Sequence, residues 1–188
     1  MDNKSKILDI AMKLFSDKGY DGTGIQEIVD KSEITKPTLY YYFGSKEGIL
    51  KAIFQKYYDP FLESLERVCD IKNDITLSIT EVFRAFFAYA QENPVFFRLS
   101  SSATYVQKDN AAHLTIEPYI VRINDILNKM FKSAGEYHGN MKGREKEYAL
   151  SLLGTINAYL FLIINEELDP NEEVIYKAVR QFMYGIFS

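Results

Sequence analysis

The 188-residue sequence holds one cysteine, Cys69, and no tryptophan. A single thiol excludes a disulfide framework within the chain and a cysteine-built zinc site. It suits a reducing compartment, where Cys69 reads as a small buried hydrophobe. Histidine is nearly as scarce, with only His113 and His138. Neither lies in a metal or nucleophile motif, and no glycine-rich phosphate loop occurs, so the sequence points to no metal, no cofactor and no enzyme. Long apolar runs are missing too. The opening MDNKSKILDIAMKLF lacks the apolar stretch of a signal peptide, and the longest apolar run, 149–164, is short for a bilayer and carries Asn157. These features predict a cytoplasmic protein with no membrane partner.

Strong positive charge is absent as well. The formal net charge of −4 weighs mildly against nucleic acid as a partner, but the deficit is unevenly placed. Residues 1–46 carry seven lysines and seven acids, whereas 47–188 carry 15 basic and 19 acidic residues. A DNA-binding surface in the first part must therefore be local, built from lysines on one face and from helix ends.

What the sequence does have is helical period and, at 47% hydrophobic content, enough apolar residues for a core. Ile7, Leu8, Ala11, Leu14 and Phe15 share one face that Gly19 ends, predicting a helix over about 4–18. A second begins near Thr23-Gly24, with Ile25, Ile28 and Val29 on one side, and stops around Ser32. The stretch TKPTLYYYFGSK, 35–46, is ambiguous, because its aromatics favour a strand. Its ends decide the matter. Thr35 can cap a helix, Pro37 fits the first turn and Gly44 can close it, so a two-turn helix is predicted. At 100° per residue Leu39 and Phe43 face inward, Pro37, Thr38, Tyr41 and Tyr42 point away, and Lys36 and Tyr40 flank them. Tyrosine rings and hydroxyls suit thymine methyls and phosphate oxygens, and Thr38 can meet a base edge.

Two segments, ILDIAMKLFSDKGYDGT and TLYYYFGSKEGIL, lie within a span from about Ser5 to Phe54 that resembles the TetR family of bacterial transcriptional regulators. The resemblance implies an all-α chain, with a three-helix DNA-binding domain containing a helix-turn-helix at 1–46 and a larger helical ligand-binding and dimerisation domain at 47–188. It implies that Thr35, Lys36, Pro37, Thr38 and Tyr41 approach bases in the major groove, that Tyr40, Tyr42 and Lys46 hold phosphates, and that Thr23 adds another phosphate contact. The implied function is a repressor released from a palindromic operator by a small, largely apolar ligand. The alternative is a regulator of the same fold answering to a protein partner or to no ligand. Glu33 departs from the family's turn glycine and Gly24 from its hydroxyl residue. A non-glycine residue in a left-handed turn costs on the order of 1 kcal/mol.

Beyond residue 46 the pattern stays helical. Ser45 caps a long helix that Asp59-Pro60 is expected to kink or restart. Further helices are predicted at 76–92, from Asn93-Pro94 through Tyr105, at 111–134 with a break near Pro118, at 144–167 and at 171–187, with GEYHGNMKG a loop. Phe83, Phe86, Phe87, Phe97 and Tyr105, with Arg98, Arg122 and Asn157 among them, are candidates to line an apolar ligand site. The segment YALSLLGTINAYLFLIINEEL is apolar on more than one side, so one face needs a second partner. Ser151, Gly154, Thr155, Ala158, Phe161 and Leu162 are the expected homodimer contacts, matching the four-helix interface usual in the family.

Overall fold

Capping side chains set where most of the helices start. In the computed structural model, which describes residues 2–70, 74–139 and 141–185, Asp2 accepts from the Ser5 N–H at 2.7 Å and opens α1 (Asn3–Lys18). Helix α2 (Ile25–Ser32) follows a short loop, and Thr35 caps α3 (Lys36–Phe43) by accepting from the Thr38 N–H. Gly44 closes α3 with φ 71°. Next come α4 (Lys46–Cys69), α5 (Ile75–Glu92) capped by Asp74, α6 (Pro94–Tyr105), α7 (Ala111–Gly135), α8 (Glu145–Ile164) and α9 (Glu172–Tyr184) capped by Asn171. The described residues contain no strand. The predicted end of the last helix at Phe187 lies outside the described residues.

Neither internal proline ends its helix, contrary to the restart offered as one outcome at Pro60 and the break expected near Pro118. Helix α4 runs through Pro60 and α7 through Pro118. A proline inside a helix costs about 3 kcal/mol, and burial on either side outweighs it. Tyr58, Phe61 and Leu62 are buried around Pro60, and Thr115, Ile116 and Ile123 around Pro118. Each large apolar side chain removed from water contributes about 1.5–3 kcal/mol. Helix α8 is shorter than expected for a visible reason. Glu166 takes the left-handed place with φ 61°, and the Glu167 N–H donates to the Leu162 carbonyl at 2.9 Å, which closes the helix.

The chain forms two compact units, Met1–Pro60 with Pro94–Tyr119, and Phe61–Asn93 with Ile120–Ser188. In the first, α6 packs on α1, and Phe54, Tyr57, Tyr58, Phe96 and Tyr119 stack or meet edge to face. Tyr58 donates to Ser100 Oγ at 3.1 Å inside this cluster, and burial pushes its phenol up to about 12. In the second unit α5 packs on α8 and α9, with Phe61 on Phe86 and Tyr89, and Phe83 and Phe87 against Tyr159. Arg84 ties α5 to α9 through Glu172, with an Nη2 to Oε2 distance of 2.7 Å.

Candidate nucleic-acid interface

Helix α3 buries one residue, Leu39, and presents nearly everything else. Tyr41 is 85% exposed, and Lys36, Pro37, Tyr40 and Tyr42 are exposed with it. Thr38 is half-buried, its hydroxyl 2.9 Å from that of Thr35, so this pair braces the first turn while one edge stays open. Tyr41 and Tyr42 meet edge to face with centroids 5.3 Å apart, which holds two large rings in a fixed relation. A flat, hydroxyl-bearing surface beside one lysine results. Among the described residues Lys36 makes no ion pair, whereas Lys6 is bound to Glu33 and Lys18 to Glu27, each at 2.6 Å.

The turn before α3 is tight. Glu33 sits at φ 54°, its N–H donates to the Asp30 carbonyl, and the Ile34 N–H reaches back to Val29. The bond from Lys6 holds the Glu33 carboxyl below the usual carboxylate range.

Two residues expected at phosphates are turned inward. Thr23 is fully buried, and its hydroxyl points at the Leu14 and Gly19 carbonyls, 3.2 and 2.9 Å away, so its side chain is committed to the end of α1. Lys46 is half-buried, with its ammonium 2.9 Å from the Tyr20 carbonyl, 3.0 Å from that of Thr23 and 4.2 Å from the Tyr20 ring centre. The sequence carries no signal for this contact, because residues 26 apart are joined by the course of the chain alone. Tyr20 itself was not singled out by sequence.

The family model described as bacterial regulatory proteins, tetR family, matches residues 7–53, which contain α2, α3 and the turn between them. Residues 7–53 are thus a TetR-family segment. Among curated relatives, the transcriptional activator FasR of Mycolicibacterium smegmatis is 26% identical over 111 residues, 59% of this chain and 51% of FasR. The chain thus spans about half of that relative's length. The negative transcriptional regulator IcaR of Staphylococcus epidermidis is 35% identical over 86 residues, covering 46% of this chain and 44% of IcaR. The fold extends much further than this TetR-family domain. The crystal structure of FadR from Bacillus subtilis in complex with stearoyl-CoA superimposes with a TM-score of 0.76 over 97% of this chain and 98% of that one, at 19% identity.

The remaining candidates fall into two groups. Phe83, Phe86, Phe87 and Phe97 are buried in aromatic cores, but Arg98, Tyr105, Arg122 and Asn157 are exposed, and Arg122 is bound to Glu66 at 3.1 Å. A cleft of about 210 Å³ at the ends of α4 and α7 and the start of α5 is lined by residues such as Cys69, Ile75, Ile126 and Met130, and none of the eight candidates is in its lining. Burial pushes the Cys69 thiol up to about 12, which disfavours its thiolate. Of the expected dimer contacts on α8, Ser151, Gly154, Ala158 and Phe161 are exposed and Thr155 and Leu162 half-buried, with Leu150 exposed beside them. By length and composition alone α8 is able to cross a bilayer, and a third of it is buried within the protein.

Proposed function

We propose that the protein is a cytoplasmic DNA-binding transcriptional regulator, a homodimer that acts as a repressor on a palindromic operator and leaves it on binding a small, largely apolar ligand. The exposed face of α3, with Tyr41 beside Lys36 and Thr38, carries the proposal. Residues 1–46 hold the DNA, with Thr35, Lys36, Pro37, Thr38 and Tyr41 toward bases and Tyr40 and Tyr42 toward phosphates. Residues 47–188 hold the ligand and the second copy. The open face of α8, with its small residues between Leu150 and Phe161, is suited to a copy of itself. The named relatives include a negative regulator and an activator, and neither is named as an enzyme. FadR of Bacillus subtilis was solved with stearoyl-CoA, and the buried Phe83, Phe86 and Phe87 give this chain an interior of matching apolar character.

A second reading, control by a protein partner or by no ligand, is favoured by one observation. The polar candidates Arg98, Arg122 and Asn157 are on the surface. Selection of operators from random duplex DNA tests the DNA arm, and failure to enrich a palindrome sinks it. Thermal shift with a panel of acyl-CoA esters and other apolar molecules tests the ligand arm. A ligand at 100 times its Kd adds about 2.7 kcal/mol of stability, and a flat response across the panel favours the second reading.

A further inference from the structure

We propose that the groove between α5 and α9 binds an organic carboxylate with an apolar body, and that Arg180 holds the carboxylate. This is a second site, distinct from the phenylalanine interior considered above, and it stands whether or not the chain binds DNA.

The groove has a volume of about 410 Å³, inside the range of about 300–1,000 Å³ usual for small-molecule sites, and every residue lining it belongs to the second unit. Its floor is apolar. Ile175 and Val179 are buried on the inner face of α9, and Met183 is half-buried one turn further on. Helix α5 lines it with the neutral hydroxyls of Thr76 and Thr80. Along the rim stand Tyr176, Arg180 and Tyr184, each four residues from the next and so on one face of α9. The rings are 60% and 57% exposed, and the Arg180 guanidinium lies 5.8 and 5.6 Å from their centres, within cation–π range. Nη1 also donates to the Tyr176 hydroxyl oxygen at 3.1 Å. Two rings and a hydroxyl therefore restrict a side chain that is otherwise free to sample many rotamers.

Charge indicates the ligand. Of the charged residues on α9, Glu172 accepts from Arg84 at 3.0 and 2.7 Å and Glu173 is bound to Lys177 at 2.6 Å, which leaves Arg180 without an ion pair among the described residues. Glu172 is the only acid in the lining, and Arg84 claims it. A positive charge thus stands uncompensated above an apolar floor. The planar fork of a guanidinium matches a carboxylate, and Tyr176 takes only part of it. A phosphate monoester calls for a cluster of cations, and the lining holds no lysine and no second arginine. A monoanion with a chain or ring to lay over Ile175, Val179 and Met183 fits both halves of the groove.

The test uses the full chain and octanoate as the probe. Calorimetry should show wild type binding octanoate about tenfold or more tightly than 1-octanol or octanamide, which keep the chain and lose the charge. Butanoate should bind about tenfold or more weakly than octanoate, because it covers less of the floor. These comparisons need no variant. Arg180→Gln should weaken octanoate by about tenfold or more and leave 1-octanol unchanged, at the melting temperature of wild type, since the side chain is exposed. Arg180→Lys keeps the charge without the fork and should recover only part of the loss. The proposal is overturned if octanoate fails to bind wild type at millimolar concentration, or if it binds wild type and Arg180→Gln equally, which places it elsewhere. It is overturned as well if Arg180→Gln alters sedimentation while octanoate binding stays unchanged, which makes the groove a face for a second copy.

Discussion

Helices α3 and α8 both hold large side chains in solvent, and the chemistry of those side chains differs. On α3 they are Tyr40, Tyr41 and Tyr42; on α8 they are Leu150 and Phe161 beside Gly154 and Ala158. A phenol keeps a hydroxyl for phosphate oxygens and a face for a thymine methyl, whereas leucine and phenylalanine have no use for a polyanion. Exposure alone says that something covers a surface; the functional groups on it say what kind of thing. The neighbourhood agrees. Lys36 stands beside the tyrosines, while the acids of α8, Glu145 and Glu147, are confined to its first turn.

The largest effect is expected on α8. A Cβ added at Gly154 meets nothing within 4 Å in its own chain, so Gly154→Lys should leave the protomer folded and act only through whatever lies outside. Sedimentation should show monomers, and operator affinity should fall by about 100-fold or more as two half-sites lose their linkage. A soluble dimer would place the interface elsewhere and break the contrast. Next in size is Lys36→Ala, which should relax preference at one base pair in each half of a palindrome by about 1–3 kcal/mol, with assembly untouched. Sequence selection giving the wild-type motif would remove Lys36 from the reading surface. Tyr42→Phe should be smaller, about 1 kcal/mol of affinity lost uniformly over all sequences, and a changed motif would contradict its placement at phosphate. The smallest is Glu33→Asn. Asparagine tolerates the left-handed backbone, so melting temperature should hardly move while DNA binding tightens at low salt. Because Lys6 holds the Glu33 carboxyl below the usual range, wild type should match the variant only below that range, where the carboxyl takes up its proton. Anisotropy titrations across pH and salt would show this.

Helix ends were the most legible part of the chain, since Thr35, Gly19 and Gly44 act within a few residues of their own positions. The left-handed place of Glu33 was legible only through the resemblance, which puts it where the family has a turn glycine. The prolines misled, because a local penalty is visible in sequence and the burial of Tyr58, Phe61 and Ile116 that outweighs it is not. Thr23 and Lys46 are a different case. Both stand at helix starts where a phosphate contact is reasonable, and only the folded loop shows that backbone carbonyls lie within hydrogen-bond reach of both side chains. The ligand candidates mixed aromatics that the core keeps with polar residues that the surface keeps, and residue type cannot separate these when every helix has two sides.

If α8 pairs with a second copy as proposed, its exposed face also makes the protein's working state a matter of dose. On the homodimer reading, a side bearing Leu150 and Phe161 in the open is closed only when copies are abundant enough to meet, so the paired fraction and the thermal midpoint both climb with protein concentration. Occupancy of a two-fold site would then rise with roughly the square of the supply at low abundance, by mass action. A cell making few copies would leave the operator almost bare, and a modest increase in synthesis would fill it over a narrow range. The threshold for silencing a gene would thus be written in the apolar side of one helix, far along the chain from the residues proposed to read bases.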